Sequence, residues 1–158
     1  MNKVKFMIFN ILIGLIVIGI TVTIQGYGTN FWVKYMLKNY EHIPFSAFNK
    51  KTAKLLILTA SFLLILNFIE AFIWAITYYL LPGITEFDSL EKAIYFSLVT
   101  FTTLGYGDIT IGSDNRILSG FEAINGILLL GWSTTIMFSV MQFIWDKITQ
   151  HQKNNIKK

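Results

Sequence analysis

The sequence contains no cysteine among its 158 residues, so it forms no disulfide and offers no thiolate ligand to a metal. Its only two histidines, His42 and His151, stand far apart in polar segments, and we expect no metal site at either. Charged residues are scarce as well, at 14% against 54% hydrophobic residues. An ordinary soluble domain carries more charge, so the composition indicates an integral membrane protein.

The hydrophobic residues are gathered into three long runs, and a run of about 18 or more with few charges is long enough to cross a bilayer. The runs cover residues 6–24, 55–81 and 117–145. The first contains no charge, the second only Glu70 and the third only Glu122. The sequence therefore predicts an all-α membrane protein with three transmembrane helices.

Lysines are concentrated between the first two runs and after the third, and the positive-inside rule assigns both segments to the cytoplasm. The acidic stretch 82–116 is then outside, and so is the N-terminus, in a multi-pass protein of the plasma membrane. Lys3 and Lys5 favour the opposite and leave a cleaved signal peptide as the alternative. The net charge of +4 lies beside the spans, so we expect lipid and not nucleic acid as a partner.

Residues 26–53 are predicted to form a cytoplasmic loop. Within it, Asn30 is a candidate cap for a short helix over residues 31–39, whose aromatic side is typical of the membrane interface. A tethered loop with aromatic anchors is the alternative. The polar tail, residues 147–158, is predicted to be disordered from Gln150 onward.

A fourth apolar stretch, residues 93–101, is too short to span the membrane. It follows Asp88, Ser89 and Glu91, which supply a cap and a first-turn acid for a helix. Such a helix can enter the membrane and be followed by non-helical backbone only where that backbone lines a cavity or is buried in protein. We predict a re-entrant helix over residues 89–102.

The segment after this helix has the composition of an ion site built from backbone. A ring of carbonyl oxygens can replace the hydration shell of an ion, and pointing successive carbonyls to one side needs glycines two apart. Thr103 adds a hydroxyl, and the helix C-terminus near Thr102 favours a cation. The side chains of Leu104 and Tyr106 are expected to pack outward, against the short helix. The segment is Thr103-Leu104-Gly105-Tyr106-Gly107.

Residues 102–108, Thr-Thr-Leu-Gly-Tyr-Gly-Asp, resemble the signature of the potassium channel family, with Leu104 where valine or isoleucine is commoner. The resemblance implies a homotetramer around a central pore, with K⁺ as the permeant ion at Thr103, Leu104, Gly105 and Tyr106 and no cofactor. The resemblance covers about residues 54–145. Together with the predicted spans it gives an N-terminal span (1–25), a loop (26–53), a pore domain (54–146) and a tail (147–158). The pore domain comprises an outer helix (55–81), a pore helix (89–102), a selectivity filter (103–107) and an inner helix (116–145).

The same comparison gives residues around the filter provisional roles. Val99 falls where some family members have a glutamate that pairs with the aspartate matching Asp108. We predict that Asp108 bonds instead to the Tyr95 hydroxyl, and that these two residues and Thr102 support the filter.

The inner helix carries the residues that the resemblance places at the cavity and at the gate. Ile127, Leu130 and Thr134 are predicted to line the inner cavity. Gly126 matches a glycine at which the helix bends during opening, and Gly131 is a second flexible site. Close packing of helices is the alternative for both glycines.

Two polar positions inside the spans need a separate explanation, because a buried carboxylate is costly. Glu70 is a candidate for gating or proton sensing, with a structural bond to the first or third span as the alternative. Glu122 and Asn125 are expected to bond behind the filter.

The function predicted is passive K⁺ conduction and not enzyme catalysis, since no nucleophile, base or cofactor motif is present. No span carries arginine or lysine at every third position and no nucleotide fingerprint follows the inner helix, so we expect neither a voltage sensor nor a ligand domain. A weakly selective cation channel and a non-conducting partner subunit are the alternatives.

Overall fold

The computed structural model describes residues 3–40, 50–112 and 115–156. Over these ranges it contains no strand and consists of α1 (Lys3–Tyr40), α2 (Lys50–Leu80), α3 (Leu90–Phe101) and α4 (Arg116–Ile156). All of these helices except α3 are long and apolar enough to cross a membrane. The prediction of an all-helical chain with three candidate transmembrane helices is confirmed. His42, at which no metal site is expected, lies outside the described residues.

α1 is one helix of 38 residues, about 57 Å long at 1.5 Å per residue. The predicted end of the first helix near residue 25 and the separate helix over residues 31–39 with Asn30 as its cap are therefore wrong. Trp32, Met36 and Tyr40 are buried at four-residue spacing along this part of α1. Their packing outweighs the weak helix propensity of the Gly, Thr and Asn residues that precede them.

α4 also extends further than expected. It continues to Ile156, so the prediction of a tail disordered from Gln150 is wrong over the described residues. No proline or glycine follows Gly131 in the sequence to interrupt the helix. Ile148 packs against a buried cluster, which gives the extended part of α4 an apolar contact.

The chain divides into two compact units, the first Met1–Gln25 with Leu66–Leu130 and the second Gly26–Ile65 with Gly131–Lys158. The core of the first unit contains residues of all four helices, among them Val17, Trp74, Tyr78, Phe96, Phe101 and Leu129. The core of the second unit contains Met36, Tyr40, Leu55, Val140 and Ile144. Each unit therefore has its own hydrophobic core.

α1 contacts α2 in the second unit and the turn before α4 in the first. In the second unit, Trp32 stacks on Phe62 of α2 with ring centroids 4.8 Å apart. In the first unit, the side chain of Asn10 donates to that of Asn115, which directly precedes α4. The contact between Asn10 and Asn115 was not predicted.

Candidate functional site

The site is built on α3, a 12-residue helix between two candidate spans in the sequence. Ser89 is its N-cap, with the side-chain hydroxyl accepting from the Lys92 amide at 3.3 Å, and Glu91 lies in the first turn. Its buried face contacts the core of the first unit through Ala93, Phe96, Ser97 and Phe101. α3 begins and ends within the range predicted for the short helix.

Residues 103–107 leave α3 with an alternating backbone. Thr103, Gly105 and Gly107 have positive φ angles of 58°, 56° and 76°, and they alternate with residues of ordinary φ. Alternation of left- and right-handed residues turns successive peptide groups the same way, which places amides on one side and carbonyls on the other. Only glycine adopts positive φ cheaply, which explains two of the three positions.

The amides of this segment point back to α3. Leu104 and Gly105 both donate to the carbonyl of Val99, at 2.9 and 3.2 Å, and Thr103 donates to the carbonyl of Thr100 at 2.9 Å. The amides therefore cap the last carbonyls of the helix, and the side opposite them is left to the segment's own carbonyl oxygens. The side chains of Leu104 and Tyr106 are exposed in the single chain.

The hydrogen bond predicted between Tyr95 and Asp108 is present. The Tyr95 hydroxyl donates to Asp108 Oδ2 at 2.7 Å. This bond is the main cause that raises the pKa of Tyr95 above its ordinary value, and desolvation and the negative charge of Asp108 add to it. Thr102 Oγ1 bonds to the carbonyl of Leu98 at 2.7 Å, so it stabilises the end of α3. Whether these contacts support a filter stays a prediction.

A cavity of about 480 Å³ lies behind the segment. Its lining combines residues of α3, several residues between 103 and 111 and the start of α4, and it includes Tyr95, Val99, Asp108, Arg116 and Ala123. The space beside Val99 is where the resemblance places a glutamate in some family members. The Tyr95–Asp108 bond is at the wall of this cavity.

Glu122 connects three helices. The Tyr78 hydroxyl of α2 donates to Glu122 Oε2 at 2.7 Å, and Ser97 Oγ of α3 is in hydrogen-bond contact with Glu122 Oε1. Ser97 also lies 2.6 Å from the carbonyl oxygen of Ala71, to which it donates. Glu122 therefore bonds to α2 and α3, whereas Asn125 donates to Thr21 of α1. That Glu122 and Asn125 bond behind a filter stays a prediction.

Glu70 is fully buried, and neither of its carboxylate oxygens has a hydrogen-bond partner in the described part of the chain. The structural bond expected from Glu70 to the first or third span is therefore wrong for these residues. The indole nitrogen of Trp74, one turn further along α2, is buried without a partner there as well. The sensing role of Glu70 stays a prediction.

The two glycines of α4 differ in their surroundings. A side chain at Gly126 would overlap the carbonyl oxygen of Phe101 at the end of α3, so Gly126 permits a close approach of the two helices. A side chain at Gly131 would meet no described atom beyond its own helix within 4 Å. Close packing therefore explains Gly126 in this conformation, and bending at either glycine stays a prediction.

The predicted cavity-lining residues are also unequal. Ile127 is 61% exposed and Thr134 is exposed, so both are available to line a space outside the single chain. Leu130 is partly buried and packs on the core of the first unit. That Ile127, Leu130 and Thr134 line an inner cavity stays a prediction.

Sequence reasoning missed Ser97 and Glu86. Ser97 is a polar residue on the buried face of α3, one turn from Ala93 and Phe101, and that position was the available signal. Glu86 accepts from the Gly112 amide at 2.6 Å and from the Thr85 amide at 2.9 Å. It thereby ties the loop before α3 to the loop after residues 103–107, and no sequence pattern pointed to it.

Comparison with known proteins finds a matching family and several relatives. A family model described as an ion channel matches residues 53–143, which is more than half of the chain. Human potassium voltage-gated channel subfamily A member 5 is 31% identical over 77 residues, which are 47% of this chain and 12% of the relative. Human potassium voltage-gated channel subfamily A member 4 is 31% identical over 72 residues, 44% of this chain and 11% of the relative.

The rabbit (Oryctolagus cuniculus) subfamily A member 5 protein is 32% identical over 72 residues, 44% of this chain and 12% of the relative. The chain thus covers only about an eighth of the length of the curated relatives it matches. No solved structure is a significant match. Because the family model covers residues 53–143, more than half of the chain, the chain belongs to this ion channel family, and the relatives named above are potassium channels.

Proposed function

We propose that the chain is one subunit of a K⁺-selective channel and that residues 103–107 line a quarter of its pore. The observation that carries the proposal is the alternating backbone of this segment, with positive φ at Thr103, Gly105 and Gly107 and its first amides turned toward α3. A column of carbonyl oxygens can replace the water around a desolvated cation without placing a fixed charge in the pore.

α3 adds an electrostatic contribution as the re-entrant pore helix. Its C-terminus lies directly before Thr103, and the partial negative charge of a helix C-terminus favours a cation there. K⁺ ions occupy successive rings formed by Thr103, Leu104, Gly105 and Tyr106. Conduction is passive and uses no cofactor, since K⁺ moves down its own gradient.

The pore is completed by a homotetramer, because one chain supplies only one side of each carbonyl ring. Large apolar side chains that are exposed in the single chain support this assembly, namely Leu104, Tyr106, Ile124 and Ile127. Neighbouring copies cover the first two and hold the filter open. The last two, on α4, face other subunits or the inner cavity, together with Leu130 and Thr134.

We place the protein in the plasma membrane with the N-terminus outside and the C-terminus in the cytoplasm. The bond between Asn10 of α1 and Asn115 before α4 supports the relative orientation, since it brings the N-terminal ends of both helices to the same side. Lysines of the segments at 34–54 and 147–158 then face the cytoplasm.

Asp108 and Tyr95 are the proposed support of the filter. Asp108 directly follows Gly107 in the sequence, so its 2.7 Å bond to Tyr95 restrains the backbone at the end of the segment. Thr102 holds the entry through its bond to Leu98. Gating involves Gly126, Gly131 and Glu70.

The test is K⁺ flux through the purified protein in liposomes, with reversal potentials measured in opposed K⁺ and Na⁺ gradients. We expect K⁺-selective current from the natural sequence and its loss in Gly105→Ala, because alanine is strained at a φ of 56°. Gly19→Ala is the matched control, since its added methyl group meets no atom within 4 Å and its φ is helical.

Each other outcome identifies a different function. Reversal potentials that follow Na⁺ as closely as K⁺ would establish a weakly selective cation channel. Absence of current from a correctly assembled tetramer would leave a non-conducting partner subunit. Equal currents from Gly105→Ala and Gly19→Ala would remove residues 103–107 from the pore.

A further inference from the structure

α1 lies outside the region that matches the ion channel family, yet within the first unit it follows α4 over a long distance. Contacts occur at four levels, the first at the turn before α4 and the others on α4 itself, and the residues of both segments advance together from one level to the next. The two helices therefore run parallel. The pairs are Asn10 with Asn115, Gly14 with Phe121, Thr21 with Asn125, and Gln25 with the carbonyl of Leu129.

These contacts are specific rather than merely apolar. Asn125 Nδ2 donates to Thr21 Oγ1 at 2.8 Å and Gln25 Nε2 donates to the Leu129 carbonyl at 3.4 Å. Thr21, Gln25 and Asn125 are all at most 1% exposed. In a hydrocarbon environment a buried polar side chain must find a partner within the protein, so these bonds fix the position of α1 along α4.

The bonds flank a position where α4 approaches α3 closely. Gly126 packs against the carbonyl of Phe101 at the C-terminus of α3, and Asn125 and Leu129 precede and follow it in the sequence. Around Gly126, α4 therefore contacts both the C-terminus of α3 and side chains of α1.

We propose that α1 is a built-in restraint on the inner helix, which keeps α4 against the end of α3 and opposes its movement at Gly126 during opening. The proposal rests on the proposed function, since it assigns α1 a regulatory role in that channel. The bonded conformation described here is the closed one in this scheme. Loss of α1–α4 bonds raises the open probability, and an added cross-link lowers it.

The size of the effect follows from measured hydrogen bonds between membrane helices. One such bond shifts an equilibrium by about threefold on average and by about eighteenfold at most. Removal of the Thr21–Asn125 bond is therefore expected to raise the ratio of open to closed channels by about threefold or more.

Thr21→Val tests this expectation in the reconstituted protein by single-channel recording. Valine has the shape of threonine but cannot accept the bond from Asn125. Thr23→Val is the matched control, because the Thr23 hydroxyl is exposed and bonds to the carbonyl of Gly19 within α1. We expect a raised open probability for Thr21→Val, no change for Thr23→Val, and unchanged K⁺/Na⁺ selectivity for both.

A disulfide provides the opposite perturbation, and the absence of native cysteine leaves no background. A Cβ on Gly14 would lie 3.2 Å from Cβ of Phe121, close to the separation of about 3.8 Å in a disulfide. We expect the oxidised Gly14→Cys/Phe121→Cys protein to have a lower open probability than its reduced form. Gly19→Cys/Gly120→Cys is the control pair, since neither position has a neighbour within 4 Å.

The failures of the two proposals are distinguishable. Absence of K⁺ current in the natural protein defeats the proposed function. A conducting natural protein in which Thr21→Val leaves the open probability unchanged or lowers it defeats the restraint alone. Equal activity of the oxidised and reduced Gly14→Cys/Phe121→Cys protein, with the cross-link verified by mass, defeats it as well. If Thr21→Val fails to assemble, the cross-linked pair decides.

Discussion

Two buried carboxyl groups lie in the transmembrane helices of the first unit, and they differ in the hydrogen bonds that they receive. Glu122 of α4 is in contact with Tyr78 of α2 and Ser97 of α3. Glu70 of α2 is as deeply buried but has no hydrogen-bond partner among the described residues. A buried polar group without partners destabilises the fold, whereas one with complete partners orders it. Glu122 is therefore expected to stabilise the fold, and Glu70 is expected to be tolerated at a cost in stability.

The contacts of Ser97 also indicate which group supplies the proton in its hydrogen bond to Glu122. The Ser97 hydroxyl has one proton and two oxygen neighbours, Glu122 Oε1 and the carbonyl of Ala71. The carbonyl can only accept, so when Ser97 donates to it, the proton in the Ser97–Glu122 contact belongs to the carboxyl group. A neutral amide at position 122 can reproduce the same pattern.

The largest effect is expected from Glu122→Ala. It removes the acceptor of Tyr78 and the partner of Ser97 and leaves a cavity, so we expect a loss of about 3 kcal/mol in the free energy of unfolding. Glu122→Gln is the control, because its amide can donate to Ser97 while its oxygen accepts from Tyr78, and we expect a loss below about 1 kcal/mol. Unfolding by dodecyl sulfate in mixed micelles measures both. Similar losses for the two variants would contradict this hydrogen-bond pattern.

A smaller effect is expected from Tyr78→Phe, which deletes a single donor to Glu122. We expect a loss of about 1 kcal/mol in the free energy of unfolding, since buried hydrogen bonds between membrane helices contribute about this much or less. In the background of Glu122→Ala the same change should cost nearly nothing, because its partner is already gone. Strict additivity of the two substitutions would show that the 2.7 Å contact carries no energy.

The same comparison shows what was visible in the sequence. The bounds of α3, its Ser89 cap and the bond from Tyr95 to Asp108 were predictable, because local spacing and a specific motif determine them. The partners of Glu122 were not. Tyr78 and Ser97 are 44 and 25 residues away, and only the packing of three helices brings them together.

Tertiary packing also explains the errors in the long helices. Residues 26–30 have the composition of a break, yet α1 passes through them because Trp32 packs on Phe62 and bonds to Thr59 at 3.2 Å. The missing partner of Glu70 is the converse case. A helical pattern places Glu70, Trp74 and Tyr78 on one buried side of α2, but it does not say which of them will find a bond.

Glu70→Leu tests the other side of the comparison. No hydrogen bond within the described residues is lost, and an unpaired polar group is replaced by an apolar one, so we expect stability to be unchanged or raised by about 1 kcal/mol. The measurement is again unfolding in mixed micelles. A loss above about 2 kcal/mol would reveal a partner for Glu70 in the assembled protein and end the contrast with Glu122.

The sensing role of Glu70 is tested separately by Glu70→Gln, which keeps the shape of the side chain and removes its titration. We expect this variant to have an altered dependence of K⁺ current on pH. Current that responds to pH as in the natural protein would refute the sensing role without affecting the stability comparison.

The smallest effect on stability is expected from Tyr95→Phe, which deletes the exposed counterpart of the Tyr78–Glu122 bond. Both bonds join a tyrosine hydroxyl to a carboxyl oxygen at 2.7 Å, but Tyr95 is 39% exposed and Tyr78 is fully buried. Water competes for exposed groups, so we expect no resolvable change in the unfolding of Tyr95→Phe. Its consequence should appear in gating and selectivity instead, and unchanged values of both would remove Tyr95 from the filter support.

The pH dependence of the exposed bond follows from the raised pKa of Tyr95, whose first cause is the bond to Asp108. A group with a raised pKa in the folded state contributes stability below its ordinary value, about 10 for tyrosine, and loses it as the pH rises through the raised value. We therefore expect the difference in gating between Tyr95→Phe and the natural protein to stay constant from about pH 7 to 9 and to vanish only at higher pH. A difference that vanishes within the neutral range would mean that the Tyr95 hydroxyl does not hold Asp108 in the working channel.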